Sequence, residues 1–351
     1  MRQTSFIAFA ALLCTGVALA AQPQPGKPST AATAAAPAAA QLAPADRKRM
    51  EAIEQFQHDL VSVVALRAEP DYLLGAAMLA RPFENQMQGL DFDSLSERAA
   101  HALGAGPVTQ WVRLDVCKND ADCPNAAAFA DLKKQAGENA AVWVLDMDFA
   151  AVRKDKAAEL AALKKAAAAQ IYDDYYGQAL ADVVKAVSVL PPLADTTRGA
   201  HDGQPDNPDG VRVLVAFMNT RTYIRPGFGP VDELCRKNSA EKTSGLEAEC
   251  LKLAHTLQWG SSPVARAVGL HIQAQFDPDS AAQYQQATRN LSWEVQQYSR
   301  LVQRMLVDPA LAAKWLAMAS NGGTELSLIL ATLRANDIPT DAPASGASSA
   351  Q

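Results

Sequence analysis

Four of the five cysteines occur in two close pairs, and thiols at such spacings form disulfide bonds in exported chains. Five residues separate Cys117 from Cys123, and fourteen separate Cys235 from Cys250. Four cysteines allow three pairings, and the local one closes short loops beside predicted helix ends. A zinc site needs a C-x2-C pair or a nearby histidine pair, and the sequence has neither. We therefore predict the disulfides Cys117–Cys123 and Cys235–Cys250.

Three tyrosines and two aspartates crowd the stretch IYDDYYGQAL, residues 171–180. Tyr172, Tyr175 and Tyr176 each combine an aromatic ring with a polar tip, which suits a surface that binds a peptide or a sugar. The alternative, which we prefer, is a corner between two helices whose tyrosines pack inward. The three tyrosines are the candidate binding surface in this sequence.

Signatures of catalysis and of metal binding are absent from the sequence. The five histidines show neither H-x3-H nor H-E-x-x-H spacing, and the motifs G-x-S-x-G, G-x-x-x-x-G-K-[ST] and G-x-G-x-x-G do not occur. The oxygen-rich stretch 201–210 fails the EF-hand pattern, because Pro205 would take the first ligand position and Ala216 the twelfth. Neither Asp146/Asp148 nor Asp173/Asp174 lies on one helix face. We predict no catalytic residue, no metal and no cofactor.

The chain begins with the features of a secretory signal peptide. Arg2 supplies the positive start, an apolar run extends over residues 6–20, and Ala18-Leu19-Ala20 forms a small-x-small site. Cleavage is predicted between Ala20 and Ala21. The run is shorter than the roughly 20 residues of a spanning helix, which argues against a membrane anchor. We expect a periplasmic or secreted protein.

Composition limits the partners of the remaining chain. Residues 21–45 and 338–351 are rich in Ala, Pro, Ser, Thr and Gln, which is typical of disordered segments. The net charge is −6, and the charges of both signs interleave. This excludes electrostatic attraction to nucleic acid. The most apolar later segment, 211–218, is short and carries Arg212, so we predict no transmembrane segment in the mature chain.

Helical periodicity dominates the folded part, and no stretch alternates as a strand does. Apolar residues at 50, 53, 56, 60 and 64 share one helix face. Ser94 with Glu97 and Ser280 with Gln283 resemble capping boxes that start helices, with a separate helix predicted over 291–305. We predict an all-α fold without a sheet. Its parts are a helical-repeat region (46–190), a polar loop (191–210) and a second helical region (211–337).

A Trp-Val pair followed by Asp recurs in TQWVRLDV and AVWVLDMD, with Trp111 and Trp143 separated by 32 residues (143 − 111). That interval is close to the length of one helix-turn-helix repeat. The chain resembles the tetratricopeptide and Sel1-like families of helical-repeat proteins, and its Ala-rich exported character is similar to that of bacterial envelope proteins. The tryptophans lie in the second helix of each pair, without the G-x2-Y of the tetratricopeptide pattern. The resemblance implies stacked antiparallel hairpins, a TPR-like α-solenoid, and no particular activity.

These features together favour an exported scaffold that binds a protein or peptide in the cell envelope, since a solenoid offers a concave surface and needs no catalytic residues. Two alternatives stay open. One is an enzyme with a dispersed site that acts on cell-wall glycan or peptide, and the other is a purely structural envelope protein.

The processed chain is expected to begin at Ala21 and to carry no free thiol. Alkylation before reduction should leave Cys117, Cys123, Cys235 and Cys250 unmodified, and alkylation after reduction should modify all four. Intact-mass spectrometry of the exported protein measures both. Four freely alkylated thiols before reduction would contradict the disulfide prediction.

Overall fold

Helices make up all of the regular secondary structure that the computed structural model describes, which covers residues 44–83, 88–114, 125–197, 207–236 and 245–343. These residues form sixteen helices and no strand, and a single isolated parallel bridge joins Asn139 to Ile171. The all-α prediction is therefore confirmed. Among the same residues, no helix is both long and apolar enough to cross a bilayer.

The helices are numbered in chain order. The first eight are α1 (Pro44–Val64), α2 (Pro70–Ala80), α3 (Phe92–His101), α4 (Pro107–Arg113), α5 (Ala126–Gln135), α6 (Ala140–Val152), α7 (Lys156–Ala168) and α8 (Tyr176–Val187). The remaining eight are α9 (Ala194–Thr197), α10 (Pro208–Thr220), α11 (Gly229–Cys235), α12 (Leu246–Gln258), α13 (Pro263–Phe276), α14 (Ala281–Met305), α15 (Pro309–Ala319) and α16 (Glu325–Arg334).

Two helix boundaries differ from the predicted ones. Helix α3 begins at Phe92, because the side chain of Asp91 accepts a hydrogen bond from the Ser94 backbone N–H at 2.8 Å. Ser94 is therefore inside the helix rather than at its cap. Helix α14 runs without interruption from Ala281 to Met305, where two helices were predicted.

The predicted polar loop 191–210 contains structure at both of its ends. Helix α9 lies within it, and α10 begins at Pro208 rather than at Val211. Asn207 caps α10 by accepting from the Gly210 N–H at 2.8 Å, and its amide donates to the Met305 carbonyl at 2.9 Å. This side chain ties the start of α10 to the end of α14.

Helix α8 lies at the centre of the packing. Ten of its twelve residues are buried, and it packs against α2 and α4 from earlier in the chain and against α10, α15 and α16 from later. Residues 49–351 belong to one compact unit, and the structure describes only residues 44–48 of the other unit, residues 1–48. Consecutive pairs such as α6 with α7 and α12 with α13 also pack together. The solenoid arrangement and the predicted domain boundaries stay predictions.

The two recurring tryptophans have different surroundings. Trp111 is fully buried, its indole N–H donates to the Ile224 carbonyl at 3.1 Å, and its ring meets Tyr175 edge-on. The Trp143 indole N–H donates to the Gly137 carbonyl at 2.6 Å, in the turn just before its own helix. Lys165 of α7 lies 4.3 Å from the Trp143 ring centroid. The recurrence therefore does not place the two side chains in equivalent positions.

The predicted disulfide Cys235–Cys250 is present and joins the end of α11 to α12, with Cα atoms 5.5 Å apart. Both residues are buried. Cys117 and Cys123, with the signal cleavage site Ala20/Ala21, lie outside the described residues, so these predictions stand as they were made.

At Gly177, the start of α8 lies very close to the backbone of the loop before α16, which leads to a prediction about stability. A Cβ atom at Gly177 would overlap the Gly323 carbonyl oxygen and lie 2.8 Å from the Thr324 carbonyl carbon. We expect Gly177→Ala to lower the free energy of unfolding by about 1 to 3 kcal/mol, as overpacking does. Gly229→Ala is the control, because its Cβ would have no atom within 4 Å. Urea denaturation measures both, and equal stabilities would contradict the prediction.

Candidate functional site

The tyrosines of the predicted binding surface are mostly buried. Tyr172 is 4% exposed and Tyr176 8%, while Tyr175 is half-buried. The Tyr176 ring meets Tyr223 edge-on, and its hydroxyl lies 3.3 Å from that of Thr220. Long-range partners cover the rings of Tyr172 and Tyr176, which favours the inward-packing alternative, while the binding surface stays a prediction.

Hydrogen bonds within the chain occupy most of the polar groups around these tyrosines, and the buried Tyr172 hydroxyl has no partner among the described residues. The Asp174 carboxylate, 1% exposed, accepts from the Ser261 hydroxyl at 3.1 Å and from the Tyr176 N–H at 3.3 Å. The Tyr223 hydroxyl donates to the Asp174 carbonyl at 2.8 Å. Asp173 accepts from the Tyr175 N–H at 2.9 Å. Asp173 and Asp174 thus fix a loop and do not form an acid–base pair.

An ion pair lies next to Tyr176 in the same region. The Arg225 guanidinium donates to both oxygens of Glu325, at 2.9 and 3.0 Å, and stacks 4.2 Å from the Tyr176 ring centroid. Burial raises the pKa of Glu325, and the charge and hydrogen bonds of Arg225 only partly offset it. The Arg225 side chain remains 35% exposed. This pair joins the segment before α11 to the start of α16.

The buried phenols are unsuited to proton transfer at neutral pH. Burial raises the pKa of Tyr172 well above its ordinary value, and the charge of Asp174 adds to the rise. Burial also raises the pKa of Tyr176, as does the charge of Glu325. Both hydroxyls therefore stay protonated near neutral pH.

An open pocket of about 480 Å³ lies elsewhere, among α2, α8, α10 and α15. Its size is that of a small-ligand site. The lining contains three cations (Arg67, Lys185 and Arg212), one acid (Asp209), three hydroxyls (Tyr72, Ser188 and Ser320) and an apolar wall (Val189, Ala313, Leu316 and Ala317). The excess of cations makes this the candidate site for an anionic group.

The first turn of α10 contributes an ion pair to the pocket. Pro208 starts the helix, so Asp209 lies in the first turn, where the helix dipole favours an acid. Arg212 donates to Asp209 at 2.6 Å and to the Leu190 carbonyl at 3.2 Å. Its Nε is buried and has no hydrogen-bond partner among the described residues. Arg212 is therefore largely committed to the protein.

The last turn of α8 contributes Lys185, whose ammonium donates to Asp71 at 2.9 Å and lies 3.8 Å from Asp182. Burial lowers the pKa of Lys185, but the hydrogen bond and charge of Asp71 and the charge of Asp182 together raise it above its ordinary value. The side chain is 30% exposed, so the ammonium stays charged and accessible from the pocket.

Asp182 is a buried acid beneath this lysine. It is 1% exposed, and Gln178 donates to it at 3.0 Å. Burial raises its pKa from 3.8 to about 7, despite the opposing effects of Gln178 and Lys185.

Arg67 is the third cation of the pocket. Its guanidinium carbon lies 5.1 Å from the Tyr72 ring centroid. Within the described part of the chain, the guanidinium makes no hydrogen bond or ion pair. Arg67 is exposed, so a ligand anion can reach it.

Reasoning from the sequence missed every residue of this pocket. Arg212 was noted only as a charge that interrupts the apolar run 211–218. A second signal was Lys185 within the strongly apolar helix ALADVVKAV. Neither signal indicates that α2, α8, α10 and α15 meet. The predicted site at Tyr172, Tyr175 and Tyr176 is at the opposite, N-terminal end of α8.

Comparison with known proteins identifies no relative: no protein-family model, no curated protein and no solved structure matches the chain. Within the described ranges, no group of three or more His, Cys, Asp or Glu residues is placed to hold a metal ion. The function must therefore be inferred from the geometry of the chain itself.

The raised pKa of Asp182 predicts a pH-dependent stability. Between its usual value of 3.8 and about 7 the folded protein binds more protons at this site than the unfolded chain does, so this site makes the free energy of unfolding fall as pH rises through that window. Asp182→Asn removes the cost of ionising the buried group. We expect it to stabilise the protein at pH 8 by up to roughly 4 kcal/mol, with the gain vanishing near pH 4.

The exposed Asp131→Asn serves as the control, and it should change stability little at either pH because the Asp131 side chain is 47% exposed. Chemical denaturation at pH 4, 6 and 8 provides the measurement. An Asp182→Asn protein that is less stable at every pH would show that the carboxylate stabilises the fold.

Proposed function

We propose that the chain is an exported helical scaffold, built from solenoid-like helix pairs, that binds a protein or peptide in the cell envelope. The observation that carries the proposal is the open pocket among α2, α8, α10 and α15, with Arg67 at its edge free of partners among the described residues. A binding protein needs such a surface and no reactive group.

Two further observations support binding over catalysis. The carboxylates that sequence analysis considered as pairs are separately occupied: Asp146 pairs with Lys133 at 2.7 Å, and Asp148 accepts from the Gly227 N–H at 3.0 Å. The pocket itself contains one acid, Asp209, which is bound to Arg212. An acid–base reaction needs a proton acceptor that is free to reach the ligand, and partners within the chain occupy Asp146, Asp148 and Asp209.

Site-directed photocrosslinking in intact cells tests the proposal. Ala317 lines the pocket and is exposed, so a benzoylphenylalanine there should form adducts with an envelope protein or peptide. The matched control is Ala157, an exposed alanine on α7 that does not line the pocket. We expect discrete adducts from position 317 and none of the same mass from position 157.

The contrary results are equally specific. The same adducts from both positions would show that the pocket is not the binding surface. The absence of adducts from both positions would contradict the scaffold function. Incubation with purified cell-wall fragments forms a second arm. Release of new glycan or peptide products would favour the alternative of an enzyme.

A further inference from the structure

The two serine hydroxyls of the pocket are arranged to accept hydrogen bonds. The Ser188 hydroxyl donates its proton to the Val184 carbonyl at 2.7 Å, and the Ser320 hydroxyl donates to the Ala317 carbonyl at 3.0 Å. A serine has one proton and two lone pairs, so a ligand meets both oxygens as acceptors. Asp209 adds a carboxylate to the same set. These groups need N–H or O–H donors on the ligand.

The donors of the pocket gather around the first turn of α2. Lys185 binds Asp71 through one of its three N–H groups, at 2.9 Å, and keeps two for a ligand. Tyr72 follows Asp71 on α2, and Arg67 lies against its ring. The Arg67 guanidinium has no hydrogen-bond partner in the described ranges. A planar guanidinium is suited to a carboxylate, which it holds through two parallel hydrogen bonds.

An apolar wall completes the pocket. Ala313, Leu316 and Ala317 recur at spacings of three and four on α15, so they share one helix face. Leu316 is largely buried, and Val189 lines the pocket from the end of α8. This face is suited to an aliphatic side chain and offers nothing to a purely ionic ligand.

A peptide end combines these chemistries, and a phosphate does not. A phosphate group brings mainly acceptors and too few P–O–H donors for Ser188, Ser320 and Asp209. The carboxy-terminal end of a peptide brings a carboxylate, backbone N–H donors and side chains. We infer that the pocket captures the free carboxy-terminal end of a short peptide, with Arg67 and Lys185 binding the carboxylate and Ser188, Ser320 and Asp209 accepting from the backbone. This inference rests on the proposed function and names its ligand.

Binding of matched peptides to the full chain tests the inference. The probes are N-acetyl-Ala-Ala-Leu as the free acid, the same peptide as its carboxamide, and inorganic phosphate, each titrated by calorimetry at low salt. We expect the acid to bind at least about tenfold more tightly than the carboxamide, which loses the charge-assisted bonds. Phosphate at equal concentration should not displace the acid.

Two substitutions locate the effect. Arg67→Gln removes this cation from the pocket and should weaken binding of the acid about tenfold while leaving the carboxamide unchanged. Arg300→Gln is the matched control, because Arg300 is exposed on α14 and does not line the pocket. Equal circular-dichroism spectra of both variants show that they are folded.

Each outcome decides the inference. Acid and carboxamide that bind equally well would overturn it and leave the scaffold function standing. Phosphate that binds through Arg67 in place of the peptide would overturn it in favour of a phosphorylated ligand. Binding of none of the three probes would also overturn it, and the crosslinks from Ala317 would then decide the proposed function separately.

Discussion

The burial of helix α8 on nearly every side is the constraint on which the rest of the molecule depends. A helix can be enclosed so fully only where neighbouring backbones approach closely. Two glycines allow this: Gly75 of α2 faces the carbonyl of Asp182, and Gly177 of α8 faces the loop before α16. Because α2 precedes α8 by about a hundred residues and α16 follows it by more, chain segments from both sides must assemble before α8 is covered.

Enclosure of α8 also determines where polar groups are left over. Along most of its length the helix presents Ala, Leu and Val to its neighbours, whose burial supplies most of the stabilisation. Asp182 is the exception, and its burial raises its pKa to about 7. Lys185 lies one turn further on, in the last turn of the helix, where the dipole favours a cation. The C-terminal end of α8 therefore carries a charge at the edge of the core, and the pocket opens beside it.

Local patterns in the sequence were sufficient to predict the helices and insufficient to predict their assembly. Helices α2 and α4 begin at Pro70 and Pro107, since a proline fixes the first turn without any distant partner. The start of α3 was misplaced because Asp91 and Ser94 are both competent caps, and only one of them can occupy that position. Cys235 and Cys250 were paired correctly because a short spacing is itself a constraint on geometry. The pocket was not predictable in this way, because Arg67, Lys185, Arg212 and Leu316 come from four parts of the chain.

The buried tyrosines show what separates a structural polar cluster from a binding site. Around Asp174, the side chains of Ser261, Tyr223 and Arg225 find their partners within the protein, so an added ligand would have to break bonds that already exist. Around Arg67 the situation is reversed, because its guanidinium has no such bond to lose among the described residues. Composition cannot distinguish these cases, since both regions combine aromatic rings with charges. What distinguishes them is the number of hydrogen bonds already satisfied, and that number depends on partners that lie far apart in the sequence and meet only in the folded chain.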